Sequence, residues 1–175
     1  MKTLKSSWKQ PLSNALKRKR RIAFVGVGQE LHGDDAAGVL AVRRLQEAFG
    51  VEDPSRGDPP SASFLLLEAG VAPERATGAI RRYQPELVIF LDAADMREAP
   101  GTIRWIDPKE ITDISMGTHG FPLGTLSTHL AAELRCQVAV IGIQPKTLEF
   151  DAPPSDEVRQ AVEALTSCIL DERKK

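Results

Sequence analysis

The sequence predicts an α/β fold: three layers, with a twisted, mostly parallel five-stranded sheet between helices and one antiparallel strand at an edge. Three observations lead there. Short apolar runs (Ile22–Val27, Ser63–Glu68, Leu87–Leu91 and Gln137–Ile143) alternate with stretches of helical periodicity. That alternation builds parallel strands joined by crossover helices, which cover both faces of the sheet. The run Thr102–Ile106 follows the third strand with no helix between them, so it predicts an antiparallel edge strand.

Residues 1–20 read as a basic extension, and residues 21–175 as a single α/β domain. Lys2, Lys5, Lys9, Lys17, Arg18, Lys19, Arg20 and Arg21 crowd the first residues with no acid among them. Trp8, Leu12 and Leu16 recur every four positions, which allows a short amphipathic helix. Three apolar residues are few, and the expectation is a loosely held, solvated tail.

The chain is organised around Arg21–Gly38, R-I-A-F-V-G-V-G-Q-E-L-H-G-D-D-A-A-G. Ile22–Val27 is the first strand. Gly26 and Gly28 let the backbone turn sharply after it. A polar loop then ends on Asp34 and Asp35, and a helix follows with Ala37, Ala41, Val42, Leu45 and Phe49 on one face. Gly50 stops that helix. Two adjacent carboxylates therefore stand at the carboxyl edge of the sheet, where open α/β folds bind ligands. Capping of the helix N-terminus accounts for one of them. The second asks for another explanation.

Residues 51–62 carry three prolines and read as a loop. The second strand, Ser63–Glu68, again ends on an acid. Pro73 opens a helix with Ala76, Ala79, Ile80 and Tyr83 inward, and Pro85 closes it. Leu87–Leu91 is the most hydrophobic strand and the expected centre of the sheet. Asp92 follows it directly, and a carboxylate there is costly without a cation, a metal or several backbone donors. Thr102–Ile106 places Ile103 and Trp105 on one face. Pro108–Ile111 reads as one helical turn, and Ser115–Gly124 as a glycine-rich loop carrying His119. From Thr125 to Leu134 the helical spacing returns, with Leu126, Leu130 and Leu134 apolar and His129 facing solvent. After the last strand, residues 144–154 form a proline-marked loop. Ser155 caps a final helix that buries Val158, Val162, Leu165 and Ile169.

Composition narrows the function. The formal net charge of −1 gives no argument for nucleic acid or a membrane surface. No apolar run approaches the roughly 20 residues of a membrane span, and the N-terminus has no secretory apolar core. Cys136 and Cys168 make neither a disulfide framework nor a C-x-x-C pair; both read as packing residues, and a cytoplasmic compartment is expected. There is no H-E-x-x-H and no G-x-S-x-G, so the commoner protease and esterase templates are absent.

In a doubly wound sheet Asp35, Asp92 and His119 can converge at one carboxyl edge. Two carboxylates and an imidazole suit a borderline divalent ion such as zinc or nickel. G-V-G-Q-E-L-H-G-D-D-A-A-G, L-D-A-A-D-M, G-T-H-G-F-P-L and I-G-I-Q-P come in the order and spacing of a known family. From about Arg21 to about Leu170 the chain resembles the endopeptidases that mature [NiFe]-hydrogenases. It is most similar to the branch serving membrane-bound, hydrogen-evolving, formate- or carbon monoxide-linked enzymes. The resemblance implies that Asp35, Asp92 and His119 are nickel-contacting, catalytic residues. It also implies removal of the C-terminal extension of the hydrogenase large-subunit precursor, after a basic residue and once nickel is inserted. The nickel would be carried by that precursor and not held permanently, and nickel-insertion accessory proteins would be further partners. Glu68–Gly70 and Ala72–Glu74 resemble the family's D-G-G and A-P-E segments. Two positions depart from the pattern: Gln29 stands where asparagine is usual, and Ala36 where glycine is usual. No serine or cysteine has an activating partner in sequence, so a covalent intermediate is not expected.

Two other readings compete. Gly26-Val27-Gly28 and Glu68 could belong to a dinucleotide site, but Leu31 stands at the third glycine and the paired acids would repel a pyrophosphate. A metal- or precursor-binding module on the same fold would use the same three residues without cutting anything.

Overall fold

The computed structural model describes residues 8–50, 63–113, 115–116 and 122–173. Its elements follow in order as α1 (Lys9–Arg18), β1 (Ile22–Val27), α2 (Ala37–Phe49), β2 (Phe64–Gly70), α3 (Thr77–Tyr83) and β3 (Leu87–Asp95). They continue as β4 (Ile103–Ile106), β5 (Ser115–Met116), α4 (Leu123–Leu134), β6 (Gln137–Ile143) and α5 (Asp156–Arg173). The main sheet runs β2-β1-β3-β6-β4. The first four strands are parallel, and β4 pairs antiparallel with β6 at the edge. The α/β class, the five strands and the antiparallel edge strand are as the sequence predicts.

Alternation along each strand divides the core in two. Phe24, Leu66, Leu87, Ile89, Leu91, Ile141 and Ile143 pack on one face with α2 and α5. Val25, Leu65, Leu67, Val88, Phe90 and Val140 pack on the other with α3 and α4. Full burial of each such side chain is worth about 1.5–3 kcal/mol. The strands are continuous apolar runs because both faces are covered.

Two features differ from the sequence reading. β3 does not stop at Leu91; it continues through Asp92 to Asp95, and its last residues pair with β5. Asp92 thus lies inside a strand, opposite Gly142 of β6. The other is α1. Leu12 is fully buried among core residues, and Trp8 and Leu16 pack at its border. Lys17 adds an ion pair to Glu172 of α5 at 3.7 Å. Residues 8–18 are therefore no solvated tail. Their apolar stripe found a partner in α5, more than 130 positions away in sequence.

The strand order places the crevice. β1 has β2 on one side and β3 on the other, so the chain reverses direction across the sheet between β1 and β3. Loops leaving the carboxyl ends of these neighbours diverge to opposite faces and open a cleft. The segment after β1 carries Asp35, and β3 carries Asp92.

Candidate active site

Asp35 sits in a 3-10 turn, Gly33–Ala36, that leads into α2. Its carboxylate is 2% exposed, and its Oδ2 accepts the Gln29 backbone N–H at 2.9 Å. The turn is closed by Asp35 N–H to His32 O and His32 N–H to Gln29 O, both at 3.1 Å. This geometry depends on glycine, at positions 28 and 38 above all. Gly28 has φ +136°, and a Cβ there would overlap the carbonyl oxygen of Asp35. A Cβ on Gly38 would overlap the carbonyl oxygens of Leu91 and Val27, so glycine alone lets α2 start directly over β1 and β3. In sequence Gly38 reads only as the end of the organising stretch, and its packing role is not visible there.

The two departures from the family pattern are mild at this level. Gln29 serves Asp35 through its backbone, which any residue but proline supplies. Ala36 has φ −66° and ψ −11°, an ordinary helical conformation that does not require glycine.

Asp34 and Asp35 divide the work differently from the capping expectation. Neither side chain caps the 3-10 turn or α2. Asp34 is fully buried and accepts four hydrogen bonds instead. Its Oδ1 takes the Ser155 N–H at 2.6 Å. Its Oδ2 takes the Lys146 N–H at 2.7 Å, the Thr147 N–H at 3.1 Å and the Ser155 hydroxyl at 2.9 Å. Its own N–H donates to Thr147 O at 3.0 Å. Asp34 thus pins the loop after β6 and the start of α5 against the loop after β1. Ser155 in turn caps α5 through Val158 N–H at 3.4 Å, as its position predicts.

Asp92 is 3% exposed, and its Oδ1 has no hydrogen-bond partner among the described residues. Burial pushes its pKa well above the usual carboxylate range, and the nearby charge of Asp35 pushes the same way; the Ala93 backbone N–H opposes them. The two acids are therefore close enough to repel, at the switch point between β1 and β3. An uncompensated buried carboxylate oxygen is costly, and such atoms concentrate at functional sites. A cation placed between the two acids would satisfy it and reverse the pKa shift. The donor chemistry fits a divalent metal. Among the described residues no three His, Cys, Asp or Glu are grouped to hold a metal. His119, the third expected ligand, lies outside the described residues.

The remaining candidates resolve simply. His129 is exposed on α4 and stands 3.4 Å from Glu133 one turn on. Cys136 and Cys168 pack at the borders of the two core clusters, and burial raises the Cys136 thiol pKa. Glu68 is held by Arg43 of α2 at 2.6 Å, and Arg43 also forks onto Glu30 at 2.7 and 3.0 Å. An acid so engaged is not poised to bind a ribose, which removes the main support for a dinucleotide site.

A sequence model of the hydrogenase maturation protease (HycI) family matches residues 39–172, which include Asp92 and His119 and begin just after Asp35. The hydrogenase 3 maturation protease of Escherichia coli K12 is 34% identical over 140 residues, spanning 79% of this chain and 82% of that protein. The crystal structure of the [NiFe] hydrogenase maturation protease HycI from Thermococcus kodakarensis superposes with a TM-score of 0.80. It is 28% identical and covers 94% of this chain and 99% of its own. The solution structure of the endopeptidase HycI from Escherichia coli superposes at 0.67, with 31% identity over 84% of this chain and 87% of its own. Fold, motif order and these likenesses agree: the chain belongs to the hydrogenase maturation protease family and is a peptidase.

Proposed function

We propose that this peptidase removes the C-terminal extension of a [NiFe]-hydrogenase large-subunit precursor, and that it recognises the nickel already inserted there. Asp35, Asp92 and His119 are the residues that contact the metal. The observation that carries this reading is the pair of buried acids at the β1/β3 crevice, with Asp92 Oδ1 unpartnered among the described residues.

The chain's own contribution is positional and electrostatic. The Gln29 N–H holds Asp35 in one orientation. Burial and the Asp35 charge favour the protonated form of Asp92 while no cation is near, and an arriving cation favours its ionised form. Nickel bound in this way can polarise a carbonyl or a water molecule. Hydrolysis adds water across the scissile amide, leaving a carboxylate on the large subunit and an amine on the released peptide. The precursor brings metal and peptide together, so metal contact makes the peptide contact nearly intramolecular. A site with few protein ligands then binds loaded precursor well and free nickel poorly. Nothing here needs nucleic acid or a membrane, and no described helix is long and apolar enough to cross one.

The test is precursor length by mass spectrometry. Wild type shortens nickel-loaded precursor by its extension, and Asp35→Asn, Asp92→Asn and His119→Ala do not, with their folds retained by circular dichroism. Normal cleavage by two of the three variants overturns the site assignment.

A further inference from the structure

Large apolar side chains exposed among the described residues are Leu31, Val71, Leu148 and Phe150, with Phe150 at 70%. All four lie in loops that leave the carboxyl ends of parallel strands: Leu31 after β1, Val71 after β2, and Leu148 and Phe150 after β6. None lies on a helix or at the opposite end of the sheet. Exposed apolar groups gathered on the edge that carries the site, with polar residues around them, mark an interaction surface.

Three of the four are fastened together. Asp151 N–H donates to Leu31 O at 2.7 Å, His32 Nδ1 lies 3.3 Å from Leu148 O, and the His32 and Phe150 rings meet edge to face at 5.5 Å. The same two loops are locked by Asp34. Asp151 holds a left-handed conformation at φ 60°, which shapes the turn beside Phe150. Leu31 is four residues from Asp35, so their Cα atoms are at most about 14 Å apart, and the closed turn from Gln29 to Asp35 brings them nearer. The patch is thus pre-ordered, and the loop that carries Leu31 runs directly into the turn that holds Asp35. Its rim is acidic: Glu149 and Asp151 are exposed and make no ion pair with the described residues.

We infer that Leu31, Leu148 and Phe150 form the docking surface for the precursor segment that flanks the scissile bond, a segment with apolar side chains next to a lysine or arginine. This rests on the function proposed above. A rigid apolar patch with unpaired carboxylates complements that chemistry, and its pre-ordering limits the entropy lost on docking. Asp35 and Asp92 then recognise the metal while the patch recognises the chain around it.

The experiment is steady-state cleavage of nickel-loaded precursor by wild type, Leu31→Ser, Phe150→Ser and the pair Leu148→Ser with Phe150→Ser. All positions are exposed, and melting curves check that the variants fold. The expected result is a rise in KM of about tenfold or more for the Phe150 variants, with kcat at saturation changed by less than about twofold. Glu149→Lys with Asp151→Lys should also raise KM, and high salt should narrow the difference. Unchanged KM in variants that fold and cut overturns the docking surface and leaves the function standing. Sedimentation showing a wild-type dimer that Phe150→Ser dissociates assigns the patch to a second copy and likewise overturns it. A wild type that leaves precursor uncut overturns the function itself, and the docking surface with it.

Discussion

Asp92→Asn should abolish processing and yet stabilise the protein at neutral pH. The substitution keeps the shape of the side chain and removes its charge. In the folded wild type burial and the Asp35 charge raise the Asp92 pKa, whereas in the unfolded chain it stays near the ordinary value of about 3.9. The sign follows. Below pH ~3.9 both states keep the proton, and the raised pKa contributes its full stability. As pH rises toward the folded-state pKa that contribution is lost, because folding must then hold a proton or bury a charge. Each tenfold weakening of the acid costs about 1.4 kcal/mol, or about 3–6 °C in Tm for a chain of this size. Asn carries no such penalty. The melting temperatures of wild type and Asp92→Asn should therefore coincide near pH 4 and separate as pH rises to 7, with the variant higher. Calorimetric scans across that range, run beside the cleavage assay, give both readouts. A variant that melts several degrees lower at both pH values refutes the reasoning. It would mean that Asp92 is a satisfied structural residue and not a strained functional one.

Two further predictions test the scaffold. Leu12→Ala should destabilise by about 2–5 kcal/mol, since Leu12 is fully buried against the core; a fall in Tm below about 4 °C would mean that α1 is only loosely docked. Asp34→Ala should leave the Ser155, Lys146 and Thr147 donors unsatisfied, at about 1–3 kcal/mol each for those that stay buried. It should also raise KM for precursor by loosening the loop after β6, whereas normal KM and Tm would show that this loop holds its shape unaided.

What could be read in advance was whatever carries a local pattern. The continuous apolar runs of β1, β3 and β6, the face of α2 and the Ser155 cap follow from period, propensity and spacing within one element. The placing of Asp35 and Asp92 at one edge needed only the order of strands. What could not be read depends on distant partners. The stripe of α1 is short, and nothing nearby shows that α5 covers it. The donors to Asp34 come from more than 110 residues later, so its division of labour with Asp35 is invisible beside the adjacent pair D-D. β3 outruns its apolar core because Ala93, Ala94 and Asp95 carry little strand signal; Ala93 pairs with Ile143 of β6, and Ala94 and Asp95 pair with the two-residue β5, too short for any period. The clash that demands Gly38 exists only once α2 lies over Leu91.

In the function proposed, Asp35, Asp92 and His119 read a metal brought by the substrate. Cleavage of nickel-loaded and nickel-free precursor, prepared side by side at equal concentration and followed by mass, tests it most directly. The loaded form should be shortened and the nickel-free form should keep its full length. Equal cleavage of both would contradict it, and would leave the three residues as ordinary hydrolytic groups.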